Sequence, residues 1–289
     1  MSNQHAYCIM AHNNWSQLQR LIDLLDDPRN DIYLHIDIKS LADYHQYGGV
    51  KTKASKLHLL DTHFNVAWGD IALSDTEVEL FETAIGMGMD YRYIHLISGC
   101  DLPLRNQDEM HAFFDHRDEE FLDVQDTHKF EKRIKYYHFF TRSMRKSVLM
   151  NFLRRLLLIP QLLFVNRLKH APLKYAYGSE WCSLTPKAVR ELVTMFHQYR
   201  YMFEKSTSGD ELYKQMILTT PGKDFKIAKE GNLRFVIFDH KQLSPRTLSM
   251  REYPDIMQSG CMFARKFEEG TEAYEKIYQQ VCAPKVQSC

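Results

Sequence analysis

The chain has 289 residues, enough for one large domain or two small ones. Its 44% hydrophobic and 26% charged residues suffice for a packed core and exclude wholesale disorder. The 37 Lys and Arg balance the 37 Asp and Glu, and a net charge of zero excludes a globally basic nucleic-acid binder.

Residues 6–11 (AYCIMA) are a short apolar run, read as a buried strand. Trp15, Leu18, Leu21, Ile22 and Leu25 follow at helical spacing. Residues 31–37 and 56–60 read as further strands. Ser74, with Glu77 three residues on, has the pattern of a capping box, so a helix is expected to start there. Residues 91–98 (YRYIHLIS) read as a strand, 107–114 as a helix and 119–124 as strand-like.

Such alternation argues for a mostly parallel sheet covered by helices, an α/β fold. Sheets of this kind hold ligands at the carboxyl ends of their strands. The loops after Ala11, Asp37, Leu60 and Ser98 are therefore the ones to inspect.

The middle of the chain differs. Residues 129–174 carry twelve Lys or Arg against one acidic residue, Glu131, which makes that segment +11 and the remainder −11. Within it, residues 146–171 (KSVLMNFLRRLLLIPQLLFVNRLKHA) mix Leu, Phe and Ile with Arg154, Arg155, Arg167 and Lys169. The pattern fits a pair of core-packing helices with solvated Arg, and it fits equally an amphipathic element lying on anionic lipid.

In the last third, residues 181–184 and 233–238 read as strands. Residues 187–199, 210–219 and 268–281 read as helices. No internal repeat or low-complexity linker interrupts the chain, so one domain over 1–289 is expected, with a basic apolar helical segment at about 142–174.

The six cysteines are scattered, with no CxxC, and Cys8, Cys100 and Cys182 each sit in an apolar run. Small buried thiols and a reducing compartment are expected. The sequence starts without a charged leader and apolar core, and it has no run of 18 apolar residues. A secretory signal and a membrane span are therefore not expected.

GxGxxG, GxxxxGK[ST], HExxH and GxSxG are all absent, as is any Cys/His cluster at zinc spacing. No Asp-x-Asp pair occurs either. What remains is a set of polar residues at strand ends: His12 and Asn13, Asp37, the Ala67-Trp68-Gly69 loop, and Asp101 after Ser98-Gly99-Cys100. Singly, such residues are caps and turns, Trp68 a core aromatic, and Glu211 an acid in a first helical turn. Several on one sheet edge suggest a site.

These residues belong to longer stretches. CIMAHNN and IYLHIDIKS, then VAWGDIALSDTEVELFETAI, YIHLISGCDLPLRN, YGSEWCSLT, TSGDELYKQMIL, LSPRTL and MFARKF follow one another from about residue 6 to residue 267. In that order they resemble the core-2/I-branching β-1,6-N-acetylglucosaminyltransferases, a family that includes the peptide O-xylosyltransferases. The resemblance implies a GT-A-like fold and an inverting transfer of GlcNAc from a UDP-sugar to a glycan hydroxyl, with no metal or other cofactor. By motif position it implies Glu211 as catalytic base. It implies Asp37 and Trp68 at the donor, and Glu180, beside Trp181, near the acceptor. Arg246 and Lys266, with Arg265 beside them, would grip the diphosphate. Arg133 and Tyr136 fall where acceptor contacts are expected, and His12 and Asp101 join the substrate-binding set.

The chemistry suits such residues. A sugar hydroxyl attacks well only as its proton is removed, and a carboxylate removes it. A Glu in a first helical turn is favoured by the helix dipole. Without a metal, Arg and Lys must neutralise the charge growing on the leaving UDP. The resemblance points to a bacterial, cytoplasmic member, peripheral on the inner face of the membrane, acting on a lipid-linked acceptor in surface polysaccharide synthesis. Two other readings stay open: a xylosyl- or hexosyltransferase of the same fold, and a non-catalytic nucleotide-sugar or glycan-binding module.

Overall fold

The computed structural model describes residues 3–143, 147–239, 242 and 244–283. Lys146, the first residue of the basic apolar stretch, and Leu243 of LSPRTL lie outside them. The strands are β1 (Gln4–Ala11), β2 (Asn30–Ile36), β3 (Lys56–Leu59), β4 (Tyr91–Ser98), β5 (Leu102–Pro103), β6 (Phe121–Leu122), β7 (Cys182–Leu184), β8 (Arg234–Val236) and β9 (Phe263–Arg265). The helices that matter below are α1 (Trp15–Leu25), α2 (Leu41–Tyr47), α3 (Ile71–Gly86), α4 (Gln107–Phe114), α5 (Lys132–Lys135), α6 (Val148–Leu158), α7 (Gln161–Phe164), α8 (Pro186–Glu204) and α9 (Tyr213–Thr219).

A six-stranded sheet runs β3-β2-β1-β4-β7-β6, with a three-stranded sheet β5-β9-β8 beside it. The four strands from β3 to β4 are parallel, and β7 enters antiparallel to both β4 and β6. The expected mostly parallel sheet covered by helices is therefore present. Its interior strands read as continuous apolar runs because both faces are covered. Alternation survives within those runs. Ala6 and Cys8 of β1 pack with α3, α8 and α9, while Tyr7 and Ile9 pack with α1, α2 and α4. Cys8 and Cys182 are buried thiols, as the sequence suggests, while Cys100 is partly exposed.

Several boundaries shift. The helix expected from Ser74 starts earlier, because the Asp70 carboxylate caps it by accepting from the Ala72 N–H at 3.2 Å. Ser74 and Glu77 thus lie inside α3, fully buried. There Glu77 forms an ion pair with Lys214 of α9, and neither side chain is exposed. The strand expected at 119–124 joins the six-stranded sheet only over β6, with an isolated bridge from Glu120 to Ile227, and Asp123 faces the cavity described below. The helix expected at 210–219 is a 3-10 turn, Gly209–Glu211, followed by α9.

Burial bears on one of the two readings of the basic apolar segment. No residue of α6 is buried, which rules out core packing for that helix. The base of the segment is firmly held. Gln161 donates to the Tyr137 carbonyl at 3.0 Å and accepts from the Tyr137 N–H at 2.8 Å. The Arg167 guanidinium reaches the carbonyls of Ile134, Tyr136 and Met202.

Candidate active site

The carboxyl ends of β1, β2 and β4 open onto a cavity of about 820 Å³, a size suited to a small-molecule ligand. Its wall takes His12 after β1, Asp37 and Lys39 after β2, Trp68 from the loop before α3, and Gly99 and Cys100 after β4. The far wall brings Glu180, Trp181, Asp210, Glu211 and Arg265. Parallel strands explain the convergence, because every crossover returns the chain to the same edge.

Backbone hydrogen bonds join the motifs that are distant in sequence. The Ser208 N–H donates to the Gly69 carbonyl at 3.1 Å, tying the AWG loop to the turn that carries Glu211. The Gly178 N–H donates to the Glu211 carbonyl at 3.1 Å, and the Gln125 N–H to the Tyr177 carbonyl at 2.8 Å. Gly178 has to be glycine, since a Cβ there would stand 1.8 Å from the Asp123 carbonyl oxygen. Side chains then pin the rim. Asp37 accepts from the Lys39 N–H at 2.9 Å and pairs with its ammonium at 3.0 Å. His35, behind it, accepts the Phe64 N–H on Nε2 at 3.0 Å. Burial pushes that imidazole down to about 4, so it is neutral.

Three carboxyl groups crowd the far wall. Burial pushes Glu180 up to about 7 against the pull of Arg265, with Glu77 and Glu211 repelling it. Burial, Glu180 and Glu211 hold Asp210 well above the usual carboxylate range, and its Oδ1 has no hydrogen-bond partner among the described residues. Glu211 is the third carboxyl on this wall. It is paired with Arg133, whose guanidinium also lies over the Phe130 ring, 4.3 Å from its centroid. The dipole of a helix was the expected support for Glu211. Its support is instead a guanidinium from α5, because the turn holding Glu211 precedes the helix.

Asp210 gives a testable consequence. A carboxyl that binds its proton more tightly folded than unfolded makes stability fall as pH rises above the ordinary carboxylate range. Asp210→Asn removes that loss without changing volume. Its melting temperature should exceed that of the parent at pH 8, and the difference should shrink as the pH falls toward 4. Equal values at both pH values in thermal denaturation would contradict the assignment.

With Arg234, Arg265 is one of two buried cations on the cavity wall. Its side chain is 11% exposed and its guanidinium lies 4.1 Å from the centre of the Trp181 ring. Asp101 and Glu180 stand 3.6 and 3.9 Å from it, beyond hydrogen-bond reach, and Nε and Nη1 have no hydrogen-bond partner among the described residues. A planar donor fork of this kind, held by an aromatic face, matches the oxygens of a carboxylate or phosphate in shape.

The remaining expected residues lie off the wall. Asp101 is fully buried, accepts from the Ser98 N–H and hydroxyl at 3.0 and 2.8 Å, and orients Arg265 rather than facing the cavity. Arg246 lies between Asp239 and Glu252, 3.3 Å from each, although its neighbours Ser244 and Pro245 line the cavity. Lys266 is half-buried, and its carbonyl accepts the Leu248 N–H. Tyr136 is buried beside α5, and Arg133 reaches the site through Glu211 and the Tyr177 ring, 5.4 Å from its centroid. Of the three cations expected at the diphosphate, Arg265 is the one on the cavity wall.

Sequence reasoning missed Asp123, Gln125, Tyr177 and Arg234, all on the wall. Tyr177 could have been found, since it opens the YGSEW stretch that holds Glu180. Asp123 and Gln125 carry no local signal. They follow a two-residue strand whose placement depends on β7. Among the described residues, no group of three or more His, Cys, Asp or Glu is placed to hold a metal ion.

No curated protein matches the sequence. Among matching solved structures, the apo form of mouse xyloside xylosyltransferase 1 is 12% identical with a TM-score of 0.38, over 90% of this chain and 97% of that one. A family model described as Core-2/I-Branching enzyme matches residues 5–258, which contain the whole cavity wall except Arg265. The chain therefore belongs to the Core-2/I-Branching enzyme family and is a glycosyltransferase.

Proposed function

We propose that the cavity transfers GlcNAc from UDP-GlcNAc to a hydroxyl of a glycan acceptor, with inversion and without a divalent cation. The observation that carries this reading is the buried Arg265 guanidinium on the same wall as Glu211. The acceptor oxygen attacks C1 of the sugar from the face opposite UDP. As it does, its proton passes to a carboxylate oxygen of Glu211. The bond from C1 to the phosphate oxygen breaks, and its electron pair leaves on UDP. Arg265 absorbs that growing charge in a site with little water, where a fixed cation counts for more than in bulk solvent.

The other side chains take positions around these two. Asp37 and Trp68 border the donor, as their motif positions imply, and Lys39 adds a second cation at that rim. Glu180 and Asp123 are placed to accept hydrogen bonds from sugar hydroxyls, which rejects donors or acceptors lacking them.

A thermal-shift screen of UDP-GlcNAc, UDP-xylose, UDP-glucose and UDP-galactose in EDTA tests the donor, because a ligand bound only by the folded state raises the melting temperature. UDP-GlcNAc should give the largest rise and should turn over without added metal. A larger rise with another donor, or a strict need for manganese, would contradict the reading.

A further inference from the structure

The apolar hairpin formed by α6 and α7 has no residue on the cavity wall, and much of its apolar surface is exposed. Val148, Phe152 and Leu156 recur at one-turn spacing along α6 and are 88%, 62% and 51% exposed. Leu163 and Phe164 of α7 are 80% and 85% exposed. A contiguous apolar face of this kind on a folded chain marks an interaction surface. Among the described residues no helix is long and apolar enough to cross a membrane, so the hairpin is too short to be a span.

We propose that this hairpin docks the enzyme on an anionic lipid surface. Charge chooses the occupant. Exposed Arg142, Arg155 and Lys169 flank the apolar tip, and residues 132–174 contain no Asp or Glu. A second copy docking through the same face would bring two strongly basic segments together with no acidic residue to pair them. A leaflet of anionic lipid gains from both features: the apolar side chains enter the acyl boundary and the cations stay at the headgroups.

The hairpin is also rigidly joined to the site. Gln161 and Arg167 fasten it to the 134–137 stretch, and Arg133, just before that stretch, touches Glu211. Docking would hold the Glu211 side of the cavity next to the lipid, as a lipid-linked acceptor requires. The docking claim itself does not depend on the transfer reading, because it is measured without donor or acceptor.

Co-sedimentation tests it, using phosphatidylcholine vesicles and vesicles of equal phosphatidylcholine and phosphatidylglycerol, each at low and high salt. The full chain should bind the anionic vesicles, more weakly at high salt. Leu163→Glu with Phe164→Glu should weaken binding about tenfold or more, with the melting temperature unchanged. Should that variant melt early, Arg155→Glu with Lys169→Glu must weaken binding to anionic vesicles instead. Three results would overturn the proposal: no binding to either vesicle, binding unaffected by the substitutions, or a dimer in solution that the apolar variant dissolves while vesicle binding is absent.

Discussion

Glu211→Gln is expected to lower the transfer rate by about 10²–10⁴-fold while leaving UDP affinity unchanged. Glutamine keeps the length of the side chain, and its carbonyl oxygen still accepts from Arg133, so the turn stays in place. What it lacks is the capacity to take the acceptor proton. The two neighbouring carboxyls do not substitute. Asp210 is 4% exposed and holds its proton above the usual carboxylate range, and Glu180 stands 3.9 Å from Arg265, the side of the wall that the reading gives to the diphosphate. Rates with saturating donor and acceptor, paired with calorimetry for UDP, check the split. A variant that turns over within tenfold of the parent would remove Glu211 from the chemistry.

Lys214→Met is expected to be the most destabilising single change near the site, by about 3–5 kcal/mol. The Lys214 ammonium and the Glu77 carboxylate are both fully buried and answer one another. Removing the cation strands a carboxyl that burial already pushes up to about 7. The stranded Glu77 escapes part of the penalty by binding a proton. Its folded-state affinity for that proton exceeds the unfolded one, so the loss should grow as pH rises from 6 to 8. Lys214→Met combined with Glu77→Gln should recover most of the loss, because no buried charge then remains. Denaturant unfolding of the three variants checks this. A single variant as stable as the parent would mean that the pair contributes nothing. The pair matters to catalysis through position: it bolts α9, three residues after Glu211, to α3.

What the sequence discloses follows from how local the cause is. Strands β1, β2 and β4 are legible because two covered faces force unbroken apolar runs, and α4 because Asn106 and Glu109 close a capping box. The same pattern misleads at Ser74. An S-x-x-E string looks like a cap, and only the tertiary pairing of Glu77 with Lys214 reveals it as helix interior. The short strand β6 and the wall residues Asp123 and Gln125 depend on a partner strand some sixty residues later. The cationic position is a further case. MFARKF offers two neighbouring cations, and Arg265 reaches the cavity wall between the Trp181 ring and the Asp101 carboxylate, which sequence order does not bring together. Likewise the balanced composition of segment 146–171 left core and surface equally open, and burial decided for surface in α6.

Titration of UDP into the parent and into Arg265→Ala, both in EDTA, tests most directly whether a side chain and not a cation receives the diphosphate. The parent should bind UDP under these conditions, and the variant should bind at least about tenfold more weakly, since a charge-assisted contact contributes about 1.5–3 kcal/mol. Equal affinity in the two proteins, or binding by the parent only after manganese is added, would contradict the account.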